Sequence, residues 1–190
     1  MLFDLYCKLG FLHIADPKAY DHILFLVALC AIYTIKDWRK ILILVSAFTL
    51  GHSLTLGLAA LNIILPNTAI VEFLIPATIF FTSIFNIYQQ NESTKAYIRI
   101  NYIFAGLFGL VHGLGFSTYL RSLLSKTETI WQPLLAFNIG IELGQLLIVA
   151  SILLISVILL RFISQRTWLV LLSVSTGIVS FTMLLERWPF

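Results

Sequence analysis

Apolar residues fall in long stretches along this chain, and polar ones are mostly confined to the short segments between them. Six stretches reach the length of about 20 residues that a bilayer crossing needs, at roughly 17–36, 41–61, 69–89, 100–120, 133–160 and 167–186. In lipid an open strand would leave backbone groups unpaired, so each stretch is predicted to be helical. Asp16-Pro17 reads as an N-cap followed by Pro at the first helical position, and opens the first span. Gln132-Pro133 opens the fifth in the same way, and Leu65-Pro66-Asn67-Thr68 turns the chain into the third. Residues 1–13 alternate Leu and Phe with Asp4 and Lys8, and read as a short helix lying at the membrane interface. No Pro-, Gly- or Ser-rich linker divides the chain. The expectation is an all-α integral membrane protein, a single domain over 1–190, with six transmembrane helices and a short N-terminal interfacial helix.

Composition agrees with this. Hydrophobic residues make up 59% of the chain and charged ones 11%, against about 25% charged in an ordinary soluble domain. So few charges cannot cover a water-facing surface, which excludes a soluble enzyme, a disordered chain and a nucleic-acid binder. The net charge of +3 speaks to topology. Lys36, Arg39, Lys40, Lys95, Arg99, Arg161 and Arg166 fall on one side of the predicted bundle, and Lys8, Lys18, Arg121, Lys126 and Arg187 on the other. By the positive-inside rule both termini are expected outside. The N-terminal residues carry neither a basic region nor a cleavage site and are read as retained. Trp38, Trp131, Trp168 and Trp188 stand at span ends as an interfacial belt.

Scarcity of charge makes the exceptions informative. Asp21 and His22 lie in the first span, His52 in the second, Glu72 in the third, His112 in the fourth and Glu142 in the fifth, with His13 just before the first. An ionisable side chain inside a membrane is expensive and marks a functional position by default. At the 1.5 Å rise of a helix, His22, His52, His112 and Glu142 fall about 8–13 Å beneath one face. Helices of alternating direction thus bring these groups to one level in one half of the membrane. Asn138, Glu142 and Gln145 share a helix face, as do Thr49, His52 and Ser53 on the second span. The glycines at 106, 109, 113 and 115 around His112 let helices approach closely. Pro76 follows Glu72 by four residues and would free that carbonyl if it kinks the helix. Imidazole suits Ni, Zn, Cu and Fe and carboxylate fills the remaining positions, so the set points to a divalent transition metal, with no thiolate site expected. The ordinary alternative is that each group only hydrogen-bonds a neighbouring helix.

Four stretches of these residues carry a family likeness. His13-Ile-Ala-Asp-Pro-Lys-Ala-Tyr-Asp21-His22-Ile-Leu-Phe, Phe48-Thr-Leu-Gly-His52-Ser-Leu-Thr-Leu, Phe108-Gly-Leu-Val-His112-Gly-Leu-Gly-Phe and Phe137-Asn-Ile-Gly-Ile-Glu142-Leu-Gly-Gln145 resemble, in order, the HupE/UreJ family of membrane proteins. The resemblance implies about six transmembrane helices in the inner (plasma) membrane of a bacterium. It also implies a hydrogenase or urease accessory role as a secondary permease for nickel or cobalt. Carried over, the implied metal-handling residues are His13, Asp21, His22, His52, His112 and Glu142. Thr49, Ser53, Glu72, Asn138 and Gln145 are supporting polar groups by position. The permease branch has a shorter gap between its first His and its Asp-His pair. Here seven residues, Pro17 among them, separate His13 from Asp21, so one continuous helix cannot carry all three. Phe108 and Gly115 stand near the places where that branch has a second His and a Glu, which puts the chain in a divergent branch.

Two further functions compete with transport. Zn²⁺ held by His22, His52 and His112 would activate water, making the protein an intramembrane hydrolase of a lipid or membrane substrate, with Asp21 or Glu142 as base. A structural subunit would use the same groups only to pair helices. The half of the membrane away from the histidines offers mainly Asn86 and Asn101, which counts against a continuous path. The expected partners are a metal ion and the bilayer, with a second copy or an accessory membrane protein left open and nucleic acid excluded.

Overall fold

The structure, a computed structural model, describes residues 2–17, 20–88, 95–123 and 130–189. Lys18 and Lys126, two of the charges bearing on orientation, lie outside these, as do the side chains of Lys95 and Arg121. All regular structure among the described residues is helical: α1 (Leu2–Ala15), α2 (Tyr20–Cys30), a 3₁₀ turn at Ile35–Asp37, α3 (Trp38–Ala60), α4 (Thr68–Tyr88), α5 (Lys95–Leu123), α6 (Trp131–Leu159) and α7 (Gln165–Glu186). Five of these are long and apolar enough to cross a membrane, as expected of a multi-pass membrane protein.

Local chemistry sets the helix ends. The Thr34 amide and hydroxyl donate to Asp37 Oδ2 at 3.2 and 3.0 Å, and Lys40 donates to Asp37 Oδ1 at 2.6 Å, so the approach to α3 is fixed by its own side chains. Asn62, with φ 59°, turns the chain out of α3 in the left-handed region that Asn tolerates. Asn67 Oδ1 accepts from the Ala69 amide to open α4, and Ser164 Oγ accepts from the Thr167 amide to open α7. Pro133 sits in the first turn of α6, where its missing N–H has no helical partner to lose.

The first predicted span is the exception. The 17–36 stretch forms only α2, 11 residues long and too short to cross by itself. Nor does the N-terminal helix lie at the interface as expected. α1 packs along α6, with the Gly10 Cα against the carbonyl of Phe137 and the Gly140 Cα against the carbonyl of Cys7. A Cβ at either glycine would collide with that backbone, so this contact exists only because both positions lack a side chain. Gly144 meets Phe11 and Ile14, and the pairs therefore advance together: α1 and α6 are parallel.

α2 points the same way. It begins at the ring of His22, beside His13, and leads to Ile32, whose carbonyl accepts from Gln165 at the start of α7. α6 begins near the same histidines, where Phe137 lies 5.8 Å from His13 between ring centroids, and ends just before Gln165. Two short helices of one direction, separated at Asp16-Pro17, thus stand where an interfacial helix and a full span over 17–36 were expected. α3 and α5 form the other tight pair, parallel, with Gly51, Gly109 and Gly113 pressed on the opposing backbone. α4 and α7 run antiparallel through Phe73–Trp188, Phe80–Phe181 and the Ser83–Thr176 hydrogen bond.

Candidate metal centre

Three elements end or bend at one place. His13 occupies the last turn of α1, His22 the first turn of α2, and His52 lies eight residues before the end of α3, about 12 Å along its axis. Each offers a ring nitrogen, and the three nitrogens lie within 4.8 Å of one another. Ring centroids are 4.6 Å apart for His13 and His22, and 6.0 Å for His13 and His52. His112 of α5 closes the group from the fourth side, its centroid 5.2 Å from that of His22. The glycines of the α3–α5 contact put it there: Gly109 and Gly113 flank it and let its helix reach the backbone of His52.

The rings are buried and short of partners. His52 is 0% exposed and neither of its nitrogens has a hydrogen bond. His13 Nε2, His22 Nε2 and His112 Nε2 are likewise buried and unpaired. His112 Nδ1 lies 2.9 Å from the carbonyl of Phe108, which assigns the proton to Nδ1 and leaves the Nε2 lone pair free. A buried polar atom without a partner costs roughly 1–3 kcal/mol. Several around one point are accounted for by a ligand they share. Metal–imidazole bonds of about 2.0–2.1 Å would hold the nitrogens roughly 3.4 Å apart in tetrahedral geometry. The observed spread of up to 4.8 Å closes to that by about 1.4 Å, so the donor set could hold a divalent transition metal.

Asp21 is not among the three converging donors but stands directly behind one of them. Its Oδ1 accepts from the His22 amide at 2.9 Å and lies 3.0 Å from His22 Nδ1. A carboxylate so placed raises the basicity of the ring, although the approach to Nδ1 is a close charge contact and not a hydrogen bond.

Glu142 is not one of the three converging donors. Its Oε1 accepts from Ser46 Oγ at 2.8 Å, and Ser46 lies six residues before His52, about 9 Å further along α3. One turn nearer the histidines, Thr49 Oγ1 donates to Gln145 Oε1 at 2.8 Å, and Ser53 Oγ donates to the carbonyl of Thr49. Asn138 completes that face of α6, with its Oδ1 buried and unpaired. These residues form a polar ladder between α3 and α6 beside the histidine group. Glu72 is exposed in the second turn of α4 and is not in the group. Pro76 is buried inside α4.

Three participants escaped the sequence reading. Ser46 has no feature to distinguish it from any small residue of a span. Phe116 packs its ring 3.9 Å from His13, and Arg187 reaches Asp21 from the far end of the chain. Neither contact has a local signal. Because His13 depends on the α1–α6 contact, Gly140→Leu is expected to lift α1 away and withdraw one donor. A lowered metal affinity of the purified variant, with α3–α7 still folded by circular dichroism, would be the readout.

No curated protein and no solved structure matches the chain. A protein-family model described as HupE / UreJ protein matches residues 1–190. That match spans every element that builds the histidine group, and the chain belongs to the HupE/UreJ family.

Proposed function

We propose that the protein is a secondary permease for a divalent transition metal, nickel or cobalt, and that His13, His22 and His52 receive the cation with His112 beside them. The convergence of three buried histidine nitrogens without partners, inside membrane-embedded helices, carries this reading. The broken first segment supports it. The carbonyl end of α1 carries partial negative charge and ends at the site, as in transporters whose discontinuous helices face their cargo. Asp21 in the first turn of α2 offsets the positive end of that helix.

The ladder from Thr49 and Gln145 to Ser46 and Glu142 favours transport over a hydrolase confined to one half of the membrane. It supplies oxygen ligands beyond the histidines, and these are weaker for such metals than imidazole. A cation therefore loses water at the histidines and is passed to softer hold at Glu142. On the charge distribution, the histidines open toward the outer face of the inner membrane, where α3 and α7 end, and flux runs inward.

Uptake of radiolabelled nickel or cobalt into proteoliposomes tests this. Glu142→Gln is expected to slow uptake severely while lowering equilibrium binding by less than the roughly tenfold minimum typical of lost supporting contacts. Stoichiometric binding by the wild type with no uptake would refute the permease and leave a metal-binding accessory protein.

A further inference from the structure

Arg187 is the first residue beyond α7, and its position is odd for a basic residue at a membrane face. It does not turn wholly to water. Its guanidinium Nη1 lies 3.6 Å from Asp21 Oδ2, with the Asp21 side chain 13% exposed and the Arg187 side chain 32%. Asp21 therefore divides its two oxygens. Oδ1 faces the amide and Nδ1 of His22, and Oδ2 faces Arg187. The neighbouring Trp188 ring packs edge-on against Phe73 at 5.3 Å, which ties this end of α7 to α4. Arg187 thus stands between the membrane face where α7 ends and the carboxylate that backs the histidine group.

On the reading that the histidines receive a divalent cation, we infer that Arg187 is a gate residue. Its guanidinium occupies Asp21 while the histidines are empty, and it gives up that carboxylate when a cation arrives. The reason is charge. With no cation present, Asp21 is a partly buried anion whose nearest positive charge among the described residues is Arg187. A dication on His22 brings a stronger positive charge to the other side of the same carboxylate, and Arg187 and the dication then repel each other. The two positive charges compete for one anion, so each weakens the other's hold by the same factor. The fixed charge of Arg187 lowers resting affinity and favours release, which a permease needs.

The test is nickel binding by the purified full-length protein in nanodiscs, by calorimetry and stopped flow. Arg187→Gln is expected to bind Ni²⁺ roughly tenfold more tightly, within the usual range of such coupling, and to associate faster. Arg187→Lys, which keeps a positive charge, is expected to return most of the way to the wild-type value. In an Asp21→Asn background, Arg187→Gln should lose most of its effect, because the shared anion is gone. Equal or weaker binding by Arg187→Gln in a folded protein would overturn the gate and make Arg187 a structural or positioning residue. So would an undiminished gain in the Asp21→Asn background. If Arg187→Gln does not fold, Arg187→Met, which also removes the charge, compared in the wild-type and Asp21→Asn backgrounds carries the same decision. If the wild type binds no Ni²⁺, Co²⁺ or Zn²⁺, the metal-site reading itself falls and takes the gate with it.

Discussion

His52→Ala is expected to abolish stoichiometric metal binding, with a loss of affinity well beyond the 10–100-fold that follows removal of a residue merely supporting a ligand. His52 is the fully buried member of the converging three, and neither of its nitrogens has another partner. Removing it leaves His13 and His22 on two short helices, with His13 no longer held against α3 through this ring. With His112 beside them three imidazoles remain, but the donor supplied by α3 is gone and the lipid hydrocarbon offers no substitute. The check is calorimetry and elemental analysis of purified wild type and variant with Ni²⁺, Co²⁺ and Zn²⁺. The wild type is expected to bind one equivalent. The same substitution relieves two unpaired buried nitrogens, so the fold is expected to tolerate it better than truncation of an equally large apolar ring. A variant that keeps wild-type affinity would remove His52 from the site and favour the view that the histidines only pair helices.

The second large effect is on stability. Gly109→Val is expected to destabilise the protein by about 3 kcal/mol or more, at or above the usual overpacking penalty. A Cβ at 109 would run into the Phe48 carbonyl oxygen and would stand 3.0 Å from the His52 amide nitrogen. These are backbone atoms of a parallel helix in a close contact, and they cannot rotate away. Gly106→Ala, one turn earlier on α5, is the internal control. Its Cβ would meet the Ala47 carbonyl at 3.7 Å, an ordinary contact, and the variant should unfold like the wild type. Thermal or denaturant unfolding in detergent distinguishes them. Equal stability of both variants would mean that α3 and α5 are not packed backbone to backbone. Because the Gly109 contact also sets Phe48 against both His52 and His112, any folded fraction of Gly109→Val should bind metal poorly.

Five helices could be read nearly to their ends from the apolar stretches. The stretches at 41–61, 69–89, 100–120, 133–160 and 167–186 correspond to α3, α4, α5, α6 and α7 within a few residues. The gathering of histidines could be read as well, because depth along a helix depends only on rise per residue and on which face the chain enters. The first segment was harder. The apolar run at 17–36 and the incompatible spacing of His13, Pro17 and Asp21 pointed in different directions. The spacing was the better guide: α1 and α2 are separate helices. Length and hydropathy could not decide this, since a run of apolar residues looks the same whether it makes one helix, or a short helix and a turn. The place of α1 depends on Gly10 and Gly140 meeting each other's helices, a pairing across more than half of the chain.

Sequence alone determined that the chain is a helical membrane protein, and that its few ionisable residues include a set of histidines at a common depth. Both follow from one-dimensional quantities, the hydropathy of a stretch and the distance along a helix axis. Tertiary structure alone decided which of those groups touch. It set Glu142 against Ser46, put Asp21 behind His22, and brought Arg187 from the far end of the chain onto Asp21. The physical reason is rotation and lateral packing. Depth ranks residues along the membrane normal, but contact depends on which helices are neighbours and which faces they turn to each other. Here glycine pairs between helices distant in sequence settle both.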